Sequence, residues 1–418
     1  MNGDRVPFAA LCPRQPDALL ALITMHRADP RPDKIDVGVG VYRDEEGLTP
    51  VMRAVKRAEA RLLSDQQSKS YLGAEGDIRF AELLMELAFG EARRDARCFG
   101  LQTPGGTGAL RLGAQLLACA APASRVWMSR PTWPNHAPIF ADAGLEALVH
   151  PYFDPESGGI AFEAMLDALQ QSRQGDVILL HGCCHNPTGT QFTTEQWASL
   201  ASLCIGRGLI PFVDIAYQGL GDGLDADGAG MRLLLEAVPT ALVAYSCDKN
   251  FALYRDRVGA LVVQAATKEL GALARANALA LARSLWSMPP DHGAAVVRTI
   301  LDENELRISW SDELNDMRNR LNRMRADLAA THPALAPIAS QRGLFSLLPI
   351  EAGAVAAMRE SHGIYMPADG RINLAGLNET NLSRFVEGLL PHLKASPAVA
   401  QAGVAAITRN ATTNAVRR

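Results

Sequence analysis

Between residues 97 and 263 short apolar runs alternate with helical patterns, and this constrains the fold more than any other feature. Residues 126–128, 176–180, 209–213, 241–245 and 258–263 read as strands, because each run is short, apolar and bounded by turn residues. Between the second and third runs, Thr193-Thr194-Glu195-Gln196 forms a capping box, and Trp197, Leu200 and Leu203 then recur at helical spacing. Buried strands alternating with helices predict an α/β fold, a mostly parallel sheet covered by helices on both faces. Ligands of such sheets sit at the carboxyl ends of the strands. The residues just after each apolar run are therefore the candidates for function.

The flanking segments read differently. Residues 1 to about 30 form an arm with a helix over 17–27, and residues 35–42 alternate apolar positions with Gly38 and Gly40, as a strand does where another group approaches closely. Helices are expected at 51–63, 78–89 and 109–120. Beyond residue 306 come a charged helix over 311–330, strands at 343–348 and 371–374, and helices at 351–360 and 378–393. This predicts a large domain over 49–310, a smaller α+β domain over 311–395 joined by part of residues 1–48, and a loose tail over 396–418. A net charge of −4 offers no basic surface for nucleic acid or an acidic membrane. No apolar run reaches the ~18 residues of a membrane span, and no signal peptide is expected. The seven cysteines are scattered without a C-x-x-C pair, as suits a reducing cytoplasm.

At the ends of the strand runs lie residues with chemical capability. Lys249 follows the 241–245 run. In a loop a lysine is ordinarily a solvated charge, but at a buried strand end it loses hydration, its pKa falls, and its amine becomes a nucleophile or base near neutral pH. Asp214 ends the 209–213 run, where a carboxylate is a helix cap or a charge needing a buried partner. Tyr217 follows, as a core tyrosine or part of the same site. Gly105-Gly106-Thr107-Gly108 before a helix suits a phosphate or a plain turn, and it is no Walker A loop, since no Lys-Ser/Thr follows. Trp133, stiffened by Pro131 and Pro134, offers a flat face, while His136 alone reads as a satisfied buried histidine. Arg371 lies inside an otherwise apolar strand, and its fork fits a carboxylate. Arg283, late in an Ala/Leu-rich helix, is a helix-end charge or an anion ligand. His181-Gly182-Cys183-Cys184-His185 has metal-ligand residue types, but adjacent cysteines on an extended segment point to opposite faces, so no metal site is expected. Together these features ask for one ligand: a phosphate, a ring with a basic nitrogen, an aldehyde for an amine, and a substrate carboxylate. Pyridoxal 5'-phosphate has the first three and meets the fourth in an amino acid.

Over about residues 10–393 the chain resembles the class I aminotransferases, the aspartate and aromatic amino-acid branch of fold-type I pyridoxal-phosphate enzymes. The motifs are Gly38-Val39-Gly40-Val41-Tyr42, Ser70-Tyr71-Leu72-Gly73, the turn from Thr103 to Ala109, Pro131 to His136, His181 to Gly189, Asp214 to Gly219, Ser246 to Tyr254 with Arg257-Val258-Gly259, Ser287 to Gly293, and Gly370 to Gly376. The resemblance implies roles. Lys249 would bond to the cofactor aldehyde and later carry the substrate proton. Asp214 would face the ring nitrogen, supported by His136. Tyr217 and Asn186 would donate to the ring's phenolate oxygen, and Trp133 would stack on the ring. Gly106, Thr107, Ser246 and Arg257 would cup the phosphate, with Tyr71 from a neighbouring subunit. Arg371 would clamp the α-carboxylate, and Arg283 of the neighbour would reach a distal one. Gly40 would lie on a mobile segment over the substrate. A homodimer with shared active sites follows.

Some positions depart from that pattern. Asp248 stands where aspartate aminotransferases usually carry serine. Ser70 and Met288 stand where the aspartate branch tends to carry asparagine, and Trp286 replaces a common tyrosine. The expected reaction moves the amino group of an aromatic amino acid or aspartate to 2-oxoglutarate by a ping-pong route, with small amino acids and 2-oxo acids as partners. The alternatives are a lyase or decarboxylase using the same cofactor, or a non-catalytic binding protein on this fold.

Overall fold

The computed structural model describes residues 8, 11–12, 18–90, 97–351 and 353–394, and the expected tail over 396–418 lies outside them. A seven-stranded sheet forms the centre: β1 Cys98–Pro104, β2 Arg125–Arg130, β3 Glu146–Pro151, β4 Val177–His181, β5 Ile210–Ile215, β6 Ala241–Ser246 and β7 Val258–Gln264. The spatial order is β1-β7-β6-β5-β4-β2-β3. Neighbours from β6 through β3 are parallel, and β7 runs antiparallel to both β6 and β1. All five expected strands are present. β1 and β3 were not expected, and both are outer strands.

The period of two along each strand sorts the core onto two faces. Phe212, Leu242, Ala244, Leu261 and Val263 face the helices Gly105–Ala120 and Lys268–Leu285. Val213, Val243, Tyr245, Ala260 and Val262 face the opposite layer, with Trp197, Leu200 and Leu234. The helix Thr194–Arg207 opens with the expected capping box: the Thr193 side chain accepts from the Gln196 N–H and the Gln196 side chain accepts from the Thr193 N–H. The Gly105–Ala120 helix approaches the sheet closely at Gly113, where a Cβ would lie 2.4 Å from Cζ of Phe212.

A long helix, Asn304–Ala330, runs unbroken through residues 310 and 311. After it come two small strand pairs. Ile35 and Asp36 pair in parallel with Ile364 and Tyr365, and Phe345–Leu347 pairs antiparallel with Arg371–Asn373. The strand expected over 35–42 stops at Asp36. Past it the backbone is held by side chains instead: Asn373 Nδ2 donates to the carbonyls of Val39 and Val41, and Arg371 Nη2 to that of Gly38. The last helix is Leu382–Leu389 followed by a short 3-10 turn, shorter than the 378–393 expected.

Gly113→Ala should destabilise the protein by about 1–3 kcal/mol, since overpacking against Phe212 outweighs the helix propensity gained. Gly206→Ala, at an exposed helix position with nothing within 4 Å of the new Cβ, should be neutral or stabilising by up to about 1 kcal/mol. Thermal unfolding of both variants beside wild type checks the contrast.

Candidate active site

The carboxyl ends of β1, β2, β4, β5 and β6 and the start of β7 meet at one edge of the sheet. Val258 pairs with Pro104, so the loop from Cys247 to Arg257 lies directly beside the turn into the Gly105–Ala120 helix. Two glycines permit this approach. Gly105 has φ +68°, and a Cβ there would meet Nη2 of Arg257 at 2.6 Å. At Gly259 a Cβ would lie 2.4 Å from the Tyr245 carbonyl oxygen and 2.6 Å from the Gly105 backbone. Arg257 itself takes a left-handed backbone, φ +57°.

These ends enclose a cavity of about 170 Å³. A pocket of ~150 Å³ already accommodates benzene, so this one admits a single aromatic ring. Gly106, Thr107, Ser246 and Arg257 line one end, and Asp214 with His181 lines another part. Trp133, Asn186, Tyr217 and Lys249 form further walls.

The electrostatics are dominated by burial. Asp214 Oδ2 lies 3.0 Å from Nε2 of His136, whose Nδ1 lies 2.8 Å from Thr132 Oγ1. Burial pushes the Asp214 carboxyl up. The hydrogen bond from His136, then the charges of His136 and Lys249, push harder the other way, so it is held below the usual carboxylate range. The His181 ring lies 5.2 Å from that of His136, and burial, then the His136 charge, take its pKa down to about 3. His181 is thus neutral near pH 7. Burial also lowers Lys249 from its ordinary value; the charges of Asp248 and Asp214 oppose this and that of Arg257 adds to it. The Lys249 side chain is 21% exposed and Nζ sits 5.7 Å from the Tyr217 ring centre. Burial raises Tyr217, which keeps its proton and accepts from Asn186 Nδ2 at 3.4 Å.

Arg371 is buried beside this cavity. Nη1 reaches Asn186 Oδ1 at 3.4 Å, Nη2 reaches the Gly38 carbonyl at 3.0 Å, and the guanidinium lies 4.5 Å from the Phe345 ring centre. Its Nε has no acceptor, and among the described residues no carboxylate forms an ion pair with it. Burial lowers its pKa. A buried guanidinium with an idle donor is ready for an incoming carboxylate. Gly40 packs against the same Phe345 ring, where a Cβ would lie 2.9 Å from Cζ.

The structure therefore brings Gly106, Thr107, Trp133, His136, Asn186, Asp214, Tyr217, Ser246, Lys249, Arg257 and Arg371 to one place. Gly40 stands apart from the cavity lining, against Phe345, and two further expected residues are left out. Tyr71 is 91% exposed, and Arg283 is exposed with Nη1 donating to Ser287 Oγ; neither lines the cavity within one chain. The sequence reading overlooked His181 as a wall of the cavity, although its place at the end of the 176–180 run was the signal. It also expected Cys183 and Cys184 to point apart. Instead Cys184 adopts φ +49°, which breaks the extended alternation, and both sulfurs lie within 4.8 Å of each other and of an Asp227 carboxylate oxygen. That carboxylate accepts the backbone N–H groups of Gly219, Gly221 and Asp222 at 2.8–2.9 Å, which fixes the loop after β5.

A lysine amine and an ionised carboxylate on one ring-sized cavity, with a glycine-rich helix start at its end, are the groups an enzyme of the pyridoxal-phosphate class needs. The chain belongs to the family "Aminotransferase class I and II", whose model matches residues 32–389, and is a pyridoxal-phosphate-dependent aminotransferase. A tyrosine aminotransferase of Rhizobium meliloti is 50% identical over 374 residues, covering 88% of this chain and 96% of that protein. An aspartate aminotransferase of Escherichia coli is 43% identical over 383 residues, covering 90% and 97%. An aromatic-amino-acid aminotransferase of Burkholderia pseudomallei, solved covalently bound to pyridoxal phosphate, matches with a TM-score of 0.90 at 37% identity, covering 93% of this chain and all of that one. Among the described residues no helix is long and apolar enough to cross a membrane.

His136→Ala should expose what holds Asp214 ionised. With the partner gone, burial dominates and the folded-state pKa rises above the ordinary value of ~3.9. Asp214 then changes from a group that stabilises above its unfolded pKa to one that destabilises there. The variant should lose about 3 kcal/mol at pH 7, and the deficit should shrink as pH falls through the variant's raised pKa, where its carboxyl takes up a proton while that of wild type is still ionised. Thermal melts from pH 4 to 7 test this; a deficit independent of pH contradicts it.

Proposed function

We propose that the enzyme transfers the amino group of an aromatic amino acid or aspartate to 2-oxoglutarate by a ping-pong route, in a homodimer with shared active sites in the cytoplasm. The observation that carries this reading is the placement of Lys249 and Asp214 on one cavity, with a buried Arg371 beside it that reaches the cavity wall through Asn186 and keeps an idle Nε. When bound, the cofactor supplies an aldehyde for the amino group and a ring that accepts the Cα electrons.

The chain's own residues do the rest. Arg371 binds the substrate α-carboxylate with the fork that now has an idle Nε. Lys249 Nζ, its pKa lowered by burial, would take the proton from substrate Cα and hand it to the former aldehyde carbon of the cofactor. Asp214, held ionised, would keep a proton on the ring nitrogen of a bound cofactor. Tyr217 Oη, protonated, donates to the ring's phenolate oxygen together with Asn186. Trp133 stacks on the ring, and Gly106, Thr107, Ser246 and Arg257 hold the phosphate. Gly40 belongs to the segment that covers the substrate.

Both substrate classes have support. The relatives carry tyrosine, aromatic-amino-acid and aspartate aminotransferase names. Met288 stands where the aspartate branch tends to carry asparagine, and its Sδ accepts from the Leu72 N–H at 3.1 Å. Tyr71, Leu72 and Arg283 are exposed in one chain, which supports their delivery to the site of a second copy. None of the seven cysteines forms a disulfide among the described residues, which suits a reducing compartment. No observation favours a lyase or decarboxylase.

The test is kcat/KM for aspartate and for phenylalanine with 2-oxoglutarate. Arg283→Ala should lower the aspartate value about 100-fold or more, by loss of a charge-assisted pair, and leave phenylalanine within about tenfold. Arg371→Leu should lower both about 100-fold or more. Equal losses for both donors in Arg283→Ala would remove its assignment to the distal carboxylate.

A further inference from the structure

Asp248 is the feature of this site that the proposed function leaves unused. Its side chain is 7% exposed and lines the cavity at the end formed by Gly106, Thr107, Ser246 and Arg257. Oδ2 takes a hydrogen bond from Arg257 Nη1 at 2.5 Å and lies 3.8 Å from Lys249 Nζ. Oδ1 is buried and accepts no hydrogen bond among the described residues. The closer partner is the arginine, so the first effect of Asp248 falls on the anion end of the cavity and only the second on the lysine.

The charge at that end follows from these distances. The N-terminus of the Gly105–Ala120 helix and the Arg257 guanidinium both favour an anion. Asp248 already occupies part of the guanidinium, and its second oxygen accepts no hydrogen bond among the described residues. A phosphate ester of charge about −1.5 to −2 entering here meets a carboxylate of the same sign and competes with it for Arg257.

We propose that Asp248 is an internal counter-ion of Arg257 that opposes the cofactor phosphate, so that this enzyme holds its cofactor less tightly and relies less on the phosphate for recognition than a cup of cations and hydroxyls would. The inference rests on the cofactor reading above. It makes Asp248 a positioning residue, acting through Arg257, and it assigns the site an exchangeable cofactor.

The test uses pyridoxamine 5'-phosphate and unphosphorylated pyridoxamine, which have no aldehyde and so report binding without bonding to Lys249. The full-length apoprotein is titrated with each by equilibrium dialysis, for wild type, Asp248→Asn and Asp248→Ser. Asparagine keeps the shape and removes the charge; serine also removes the bulk. Both variants should bind the phosphate ester about tenfold or more tighter, while pyridoxamine changes by no more than about twofold. Unchanged or weaker binding of the phosphate ester would overturn the inference, because Asp248 would then be orienting Arg257 for the phosphate. Parallel changes for both ligands would also overturn it, as a general effect on the cavity. If wild type binds neither ligand and gives no visible absorption with pyridoxal 5'-phosphate, the cofactor reading itself fails. Binding by wild type without tightening in the variants removes only the role given to Asp248.

Discussion

Asp214 is a carboxylate in a place that disfavours charge, and the site depends on its staying ionised. Burial alone would neutralise it; the hydrogen bond from His136 and the surrounding positive charges prevent that. The arrangement is possible because β5 is central in the sheet. Its end is closed in by β4 and β6, which supply His181 and the approach to Lys249. Burial that would be a liability in an ordinary core here gives the carboxylate its reach across the cavity, where the effective dielectric is low.

The same burial acts with opposite sign on the two ends of the site. It lowers the lysine, which makes Nζ easier to deprotonate, and it raises Tyr217, which keeps that hydroxyl a donor. Arg371 shows a third consequence. A guanidinium enclosed without a carboxylate is held by two long or neutral contacts and an aromatic face, so an incoming substrate finds its natural partner unsatisfied. The side chains Arg371, Asn186 and Tyr217 form a linked row of hydrogen bonds.

Much of this was legible in the sequence. Central strands are continuous apolar runs, and their ends carry Asp214, Lys249 and Tyr217 in plain view. β3 was not legible because it is an edge strand, Glu146–Pro151, with mostly exposed side chains and a weak pattern. β1 carries Gly100, Gln102 and Thr103 and runs straight into a helix, which masks its strand character. The adjacent cysteines were misjudged because alternation assumes extended backbone, and the left-handed turn at Cys184 is a property of the packed loop. The Asp248–Arg257 pair was invisible for the same reason: nine residues of loop bring the two together. Tyr71 and Arg283 were marked by resemblance, yet within one chain nothing draws them to the cavity.

Of the chain's six lysines, Lys249 is the one proposed to bond to the cofactor. Loading the protein with pyridoxal 5'-phosphate, reducing with borohydride and mapping the label by mass spectrometry tests it directly. The label should fall on the peptide containing Lys249 at one per chain, leaving Lys34, Lys56, Lys69, Lys268 and Lys394 unmodified. A label on another lysine, or one spread over several, would contradict the account.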